Sequence, residues 1–222
     1  SDIIFIDTKT HRDYLASMFG ISKDKFVIVP VGAMDEFFKD FEREKKKDFT
    51  VLYVGKYIPL HSVETIVNSA NLLKEKGIKF LLIGKGQEYK RIRQIVDEKK
   101  IDNITFIEWL DRDKLAKEIA ESHIVLGIFK KDGKAMRVVP NKVYDAVAGS
   151  AVVITERSPA ILEFFSEDEI FLVEPENPED LAEKILFIRD NYEKAIEIAI
   201  WAENGYGHTA MMHSQNVTHL SM

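Results

Sequence analysis

Short runs of apolar and β-branched residues recur along the chain at 25–31, 49–54, 79–83, 104–107, 124–129, 151–155 and 170–173. Most lack polar alternation, and strands that are apolar on both faces belong in sheets covered on both sides, which in practice means parallel α/β sheets. Between the runs the period becomes helical. The clearest case takes Ser62 as N-cap, places Val63, Ile66, Val67, Ala70 and Leu73 on one face, and stops at Gly77. A second helix starts near Asp111 to Asp113 and buries Leu115, Ala116, Ile119 and Ala120. A third has Asn177 before Pro178, an N-cap followed by the proline that suits a first turn. Strand, helix, strand repeated this often predicts an α/β protein with a Rossmann-like, doubly wound parallel sheet.

Of the 222 residues, 45% are apolar and 31% charged, which allows a sizeable core and argues against intrinsic disorder. No apolar run approaches the roughly 18 to 20 residues of a membrane helix. Lys and Arg total 31 against 37 for Asp and Glu, and the net charge of -6 offers no general attraction to nucleic acid or an anionic membrane. Any anion site must therefore be local. The absence of cysteine removes disulfides, thiolate metal sites and cysteine nucleophiles, and suits a reducing compartment. With no signal-peptide pattern at the start, the expected location is cytoplasmic, peripheral membrane attachment of a longer protein being left open.

Two composition breaks divide the chain. The segment 40–48 is polar apart from Phe41 and reads as a solvated linker; 1–39 then reads as the end of a preceding domain, its last strand, helix and strand. Residues 49–203 carry the regular alternation. The final 19 residues, 204–222, contain no Asp, Glu, Lys or Arg and no apolar period, and read as a poorly ordered or non-native tail. His208, His213 and His219 lie in it at spacings that match no helical metal-ligand pair.

In an open parallel sheet, ligands bind outside the carboxyl ends of the strands. Gly55-Lys56 follows the 49–54 run and Gly84-Lys85-Gly86 follows the 79–83 run, a combination that suggests a phosphate neighbourhood. The third glycine of a dinucleotide fingerprint is missing, which speaks against NAD. Pro140 and Asn141 start a helix on which Lys142 and Asp145 share a face. The helix N-terminus and Lys142 can hold a phosphate while Asp145 accepts from two ribose hydroxyls; a solvent-facing i, i+3 ion pair is the alternative. Asp111-Arg112-Asp113 mimics an Asp-x-Asp metal motif, but at a helix start paired acids cap and complement the dipole, and no metal site is expected.

Read in order, several of these stretches resemble the C-terminal half of the family-four (group 1) retaining glycosyltransferases of the GT-B fold. The resemblance rests on Phe26 to Gly32 with Phe37, Val54-Gly55-Lys56 leading to His61-Ser62, Leu82-Ile83-Gly84-Lys85-Gly86, Pro140 to Ala146, Ala148-Gly149 before Val152-Val153, and Ser158-Pro159 with Glu163. It implies a domain that binds a nucleotide diphosphate sugar, the acceptor glycan, lipid or small alcohol being held mainly by an N-terminal domain. Lys56 falls where the family usually has a diphosphate-binding Arg, and His61 where it often has a Lys. Asp145 replaces the ribose-binding second Glu of the family's Glu-x7-Glu motif. The first Glu falls on Arg137, which cannot accept from sugar hydroxyls and is read as a phosphate or sugar-carboxylate contact. Glu163 counts as a substrate contact, and His61 likewise, by the resemblance alone; a loop contact and a solvated helix position are their alternatives.

The expected reaction transfers a sugar from the nucleotide diphosphate to an alcohol, with Lys56, Lys142 and helix N-terminal amides stabilising the leaving diphosphate and no cofactor or metal. The chain alone is expected to be inactive without the N-terminal domain. The second reading is a non-catalytic nucleotide-sugar-binding module that completes a site with a partner domain.

Overall fold

The computed structural model describes residues 3–33 and 45–204, the side chains of 203 and 204 excepted. At the start of the chain, β1 (Ile4–Ile6), α1 (Lys9–Phe19) and β2 (Phe26–Ile28) form one parallel crossover unit, with Ile4 opposite Phe26 and Ile6 opposite Ile28. Thr8 caps α1 by accepting from the His11 N–H at 2.9 Å, and Gly20 ends it in the left-handed region at φ 63°. The predicted strand 25–31 thus shortens to three residues. Phe5 and Val27 remain exposed on this two-stranded sheet, at 70% and 43%.

The other six apolar runs enter one sheet: β3 (Phe49–Val54), β4 (Ile78–Ile83), β5 (Ile104–Ile107), β6 (Ile124–Leu126), β7 (Val152–Glu156) and β8 (Phe171–Val173). Every pairing is parallel and the order is β5-β4-β3-β6-β7-β8. This is the Rossmann-like arrangement, with the reversal of strand order lying between β3 and β6. β6 stops three residues before the predicted 124–129 run does, and β7 runs one residue past 151–155, taking in Glu156.

The connecting helices are α2 (Val63–Leu72), α3 (Tyr89–Glu98), α4 (Arg112–Glu121), α5 (Asn141–Ala148), α6 (Pro178–Asp190) and α7 (Tyr192–Asn204). Period-two alternation divides the strands between two cores. Val51 and Tyr53 of β3, Phe80 and Leu82 of β4, and Ile124 and Leu126 of β6 meet α2, α3, α6 and α7 on one face. Leu52, Leu81 and Val125 meet α4 and α5 on the other. Each fully buried aliphatic side chain contributes about 1.5 to 3 kcal/mol, so covering both faces is what holds the sheet.

The helix starts follow the sequence with one exception. Asp111 accepts from the Lys114 N–H at 2.9 Å and Asn177 from the Asp180 N–H at 3.0 Å, as caps. Ser62 stands at the start of α2 but is left-handed (φ 49°), and its hydroxyl meets Thr65 Oγ1 at 3.0 Å without capping the backbone. The tight 3₁₀ turn Pro59–His61 immediately before it imposes that conformation. The end of the predicted linker, 45–48, docks on α4: Lys45 Nζ donates to the carbonyls of Ala120 and Ser122 at its C-terminus. Phe37, residues 40–44 and the tail 205–222 lie outside the described residues.

His123 ties β3 to β6. Its Nδ1 accepts from the Thr50 N–H at 3.1 Å, and its ring packs on Phe49 and Tyr192 at 4.5 and 5.0 Å. Burial pushes the imidazole down to about 4, with Lys45 adding to the effect. The unfolded chain takes up this proton near pH 6.5 and the folded chain only near pH 4, so stability is full above about 6.5 and declines as pH falls through that window. His123→Asn keeps an acceptor for Thr50 and loses the titration. Relative to wild type it should recover roughly 2 kcal/mol of the stability lost between about pH 7 and 4.5, read by urea unfolding; parallel pH curves for the two proteins would remove His123 as a cause of acid lability.

Candidate functional site

Where the strand order reverses, the loops after β3 and β6 diverge and leave a crevice at the carboxyl ends. The crevice is a cavity of about 470 Å³ lined by Lys56, His61, Ile128, Lys134, Asn141 and Lys142, with Asp7 and Val31 contributed by the N-terminal unit. Three lysines reach this cavity in a chain of net charge -6. Asp7 is the one carboxylate among its described lining residues, and it is held by His11 Nδ1 at 2.8 Å.

Lys142 is the central group. It sits in the first turn of α5, whose N-cap position is Pro140; no side chain caps the helix, the Val143 N–H turns back on the Pro140 carbonyl at 2.9 Å, and the helix start lies beside the cavity. The residue is half-buried, and its Nζ is buried, has no hydrogen-bond partner, and lies 4.2 Å from the centre of the Tyr53 ring. Burial pushes the ammonium down from its usual range, while the nearby Glu156 carboxylate acts in the opposite direction. The alternative of a solvent-facing Lys142–Asp145 pair is thereby overturned, because the ammonium points inward. Asp145 stands half-buried one turn further along α5.

His61 lies beside this cation. Its Nδ1 is 2.8 Å from the Tyr53 hydroxyl, which also donates to the Lys56 carbonyl at 3.1 Å. Burial, and then the neighbouring Lys142, push the imidazole down to about 3, so it is a neutral hydrogen-bonding group at physiological pH. Lys56 is exposed on the rim of the same cavity.

The glycines have a different role from the one expected of them. The Gly55 N–H donates to the Ile83 carbonyl at 2.9 Å and the Gly84 N–H to the Ile107 carbonyl at 2.8 Å, so both amides extend the sheet ladder and neither is open to a phosphate. What these positions require is space. A Cβ on Gly84, at φ 131°, would lie 2.0 Å from the Gly55 carbonyl oxygen, and one on Gly55 would lie 2.6 Å from Lys142 Nζ. Gly86 meets the Tyr57 backbone in the same way, at 2.7 Å. Lys85 is exposed, pairs with Glu108 at 2.7 Å and is not among the described residues lining the Lys142 cavity.

Arg137 and Glu163 join the N-terminal unit to the sheet domain. The Arg137 guanidinium stacks on the Tyr14 ring at 3.8 Å, its Nε is buried without a partner, and its carbonyl accepts from Thr8 Oγ1 at 2.5 Å. Both Glu163 oxygens are engaged at the start of α1: one accepts from the Lys9 N–H at 2.6 Å, the other from the Thr10 N–H at 2.7 Å and the Thr10 hydroxyl. A carboxylate there satisfies orphan amides and complements the dipole.

A second cavity, about 430 Å³, shares Lys56 with the first and is lined by Val54, Gly84, Glu108, Trp109, Leu110 and Leu115. Trp109 is 75% exposed over it. Sequence reasoning missed Tyr53, Trp109 and Glu156. A tyrosine inside an otherwise apolar strand, a tryptophan just after a strand end and a glutamate closing an apolar run were the available signals.

Residues 48–191 match the family model described as Glycosyl transferases group 1, and the chain belongs to that family. It is 27% identical over 143 residues to an uncharacterized glycosyltransferase of Methanocaldococcus jannaschii, covering 64% of this chain and 38% of that one. Anabaena HepE, solved with UDP and glucose, superposes with a TM-score of 0.76 at 12% identity, over 94% of this chain and 59% of that one. The C-terminal domain of a group 1 family protein from Francisella tularensis superposes with a TM-score of 0.60 at 20% identity, over 84% of this chain and 96% of that one. The fold is thus the Rossmann-like half of a GT-B glycosyltransferase, and the chain spans about two fifths of the curated relative's length.

Removing the Glu163 cap should loosen α1. Glu163→Ala is expected to cost about 1 to 2 kcal/mol and to speed amide exchange at Lys9 and Thr10, followed by NMR. Unchanged protection of those two amides would show that α1 is held by other contacts.

Proposed function

We propose that this group 1 glycosyltransferase domain binds the nucleotide diphosphate sugar of a glycosyl transfer to an alcohol, with the acceptor held by a further domain of the full-length protein. The observation that carries the reading is the buried Lys142 ammonium without a partner, at the uncapped start of α5 and beside Lys56. An unpaired cation costs stability wherever it is buried, and a diphosphate is the ligand whose charge would offset that cost. Lys56 and Lys142 would neutralise the diphosphate as the glycosidic bond breaks, and the amides at the start of α5 would add their dipole. Asp145, one turn along, is assigned the ribose hydroxyls.

The adjoining cavity fits the base, since Trp109 offers an exposed aromatic face within it. His61, neutral and anchored to Tyr53, is assigned a hydrogen bond to the sugar or phosphate side. The bound UDP of the Anabaena neighbour agrees with a nucleotide donor. Positive charge at Lys56, Lys142 and the α5 start supplies the neutralisation that a divalent ion would otherwise provide, so binding is proposed to be independent of metal.

Calorimetry with UDP, GDP and ADP tests the site. One of them should bind, equally with and without EDTA, and Lys142→Ala should weaken it by about 1.5 to 3 kcal/mol, roughly 10- to 150-fold. Full affinity in the variant would remove Lys142 from the site.

Asp145→Ala should weaken a ribonucleotide and leave its 2′,3′-dideoxy analogue nearly unaffected, because a carboxylate acts there only through the hydroxyls. Equal losses for both ligands would point away from the ribose.

Transfer itself needs the acceptor hydroxyl held roughly 3 to 3.5 Å from the anomeric carbon. Radiolabelled transfer by these 222 residues should stay near background and rise when the remainder of a full-length protein is supplied. Robust transfer by this chain would place an acceptor site within it.

A further inference from the structure

The contacts of Tyr53 fix where the proton sits on the His61 ring. The Tyr53 hydroxyl has one proton and two hydrogen-bonding neighbours among the described residues, the Lys56 carbonyl at 3.1 Å and His61 Nδ1 at 2.8 Å. Burial holds the phenol well above its usual range, so it keeps that proton. A carbonyl can only accept. That of Lys56 takes the Ile58 N–H at 3.1 Å and, with its second lone pair, the Tyr53 hydroxyl. The phenol oxygen then faces Nδ1 with lone pairs, and a contact of 2.8 Å between them holds only if Nδ1 carries a hydrogen and donates. Burial, and then Lys142, keep the imidazole neutral, so it has a single N–H. Nε2 is therefore the bare nitrogen.

That nitrogen is free for a ligand. It has no hydrogen-bond partner among the described residues and is not sealed from solvent, and its ring lines the 470 Å³ cavity. Gly55 locates the ring relative to the cation. A Cβ there would lie 3.3 Å from His61 Nδ1 and 2.6 Å from Lys142 Nζ, so the imidazole and the ammonium converge on one side of that glycine.

We propose that His61 is a specificity-determining residue that accepts, through Nε2, a hydrogen bond from a hydroxyl of the donor sugar. The inference rests on the reading of the cleft as a nucleotide diphosphate sugar site, and narrows it. An ionised diphosphate ester offers only acceptor oxygens, which suit Lys56 and Lys142 and are repelled by a bare ring nitrogen. A hydroxyl has a proton to give. The ribose hydroxyls are assigned to Asp145, and the sugar hydroxyls, joined directly to the diphosphate, come within reach of a group beside Lys142. A site built in this way selects, because a sugar without the matching hydroxyl leaves Nε2 and its surroundings unpaired.

The test has an arm without ligand and an arm with one. In wild-type protein carrying ¹⁵N-labelled histidine, the His61 ring signals are assigned by their loss in His61→Leu. Nδ1 should resonate as a protonated nitrogen and Nε2 as a bare one; the reverse tautomer would overturn the proposal. The second arm is calorimetry with whichever of UDP-glucose, GDP-mannose and ADP-glucose binds, and with its analogues singly deoxyfluorinated on the sugar, where fluorine can accept but not donate. One analogue should bind wild type roughly 3- to 10-fold more weakly than its parent, a readout that serves even where His61→Leu does not fold. In His61→Leu that analogue and its parent should bind alike. Full affinity of wild type for every analogue, or the same discrimination in the variant, would sink the sugar contact alone. If His61→Leu weakened the nucleoside diphosphate as much as the nucleotide sugar, the ring would belong to the phosphates and the proposal would fall. No binding of any of the three nucleotide sugars by wild type would sink the reading of the cleft, and the sugar contact with it.

Discussion

A parallel sheet whose strands are apolar on both faces must be covered on both, and the rest of this structure follows from that requirement. Val51, Phe80 and Ile124 cannot be buried by the helices that bury Leu52, Leu81 and Val125, so helices have to lie on opposite sides of the sheet. The chain meets this by winding outward from β3 in one direction and then from β6 in the other. The reversal leaves a crevice between the loops after those two strands. The site is therefore a by-product of burying the core, and its position was settled before any polar residue was chosen.

What the polar residues add is charge placed against the trend of the molecule. The chain carries six more acidic than basic groups, yet its crevice gathers three lysines and the start of an uncapped helix. Long-range attraction is thus weak for an anion, and recognition depends on contacts inside the cleft, where low dielectric strengthens them. Desolvation of Lys142 is the cost of that arrangement. Tyr53 shares in offsetting it through its ring face, and the absence of a side chain at Gly55 keeps room for Nζ.

The N-terminal unit is attached by the buried Ala33, which joins the core on the α4 and α5 side, and by polar contacts. Glu163 accepts from the first amides of α1, Arg137 stacks on Tyr14, and Thr8 bonds the Arg137 carbonyl. Two residues that the family resemblance assigned to substrate are therefore also the joint between the two sheets. Such a joint can position Asp7 and Val31 at the edge of the cleft while leaving Phe5, Val27 and Met18 exposed.

Hydrophobic period and caps determined the architecture: the six sheet strands, the buried face of α2 and the starts of α4, α5 and α6 were legible because each depends on residues close in sequence. Order and spacing of short motifs also carried the family. The directions of individual side chains were decided by tertiary structure. Lys142 and Asp145 look like an exposed pair on a helix, and only the approach of β3 turns the ammonium inward over the Tyr53 ring. Gly55 and Gly84 look like phosphate-loop glycines, and only the close approach of two strand ends takes their amides into the ladder. Glu163 looks like a site residue, and its partner lies more than 150 positions away in the chain. In each case the local sequence sets which atoms are available, and distant segments brought together by core burial set what those atoms meet.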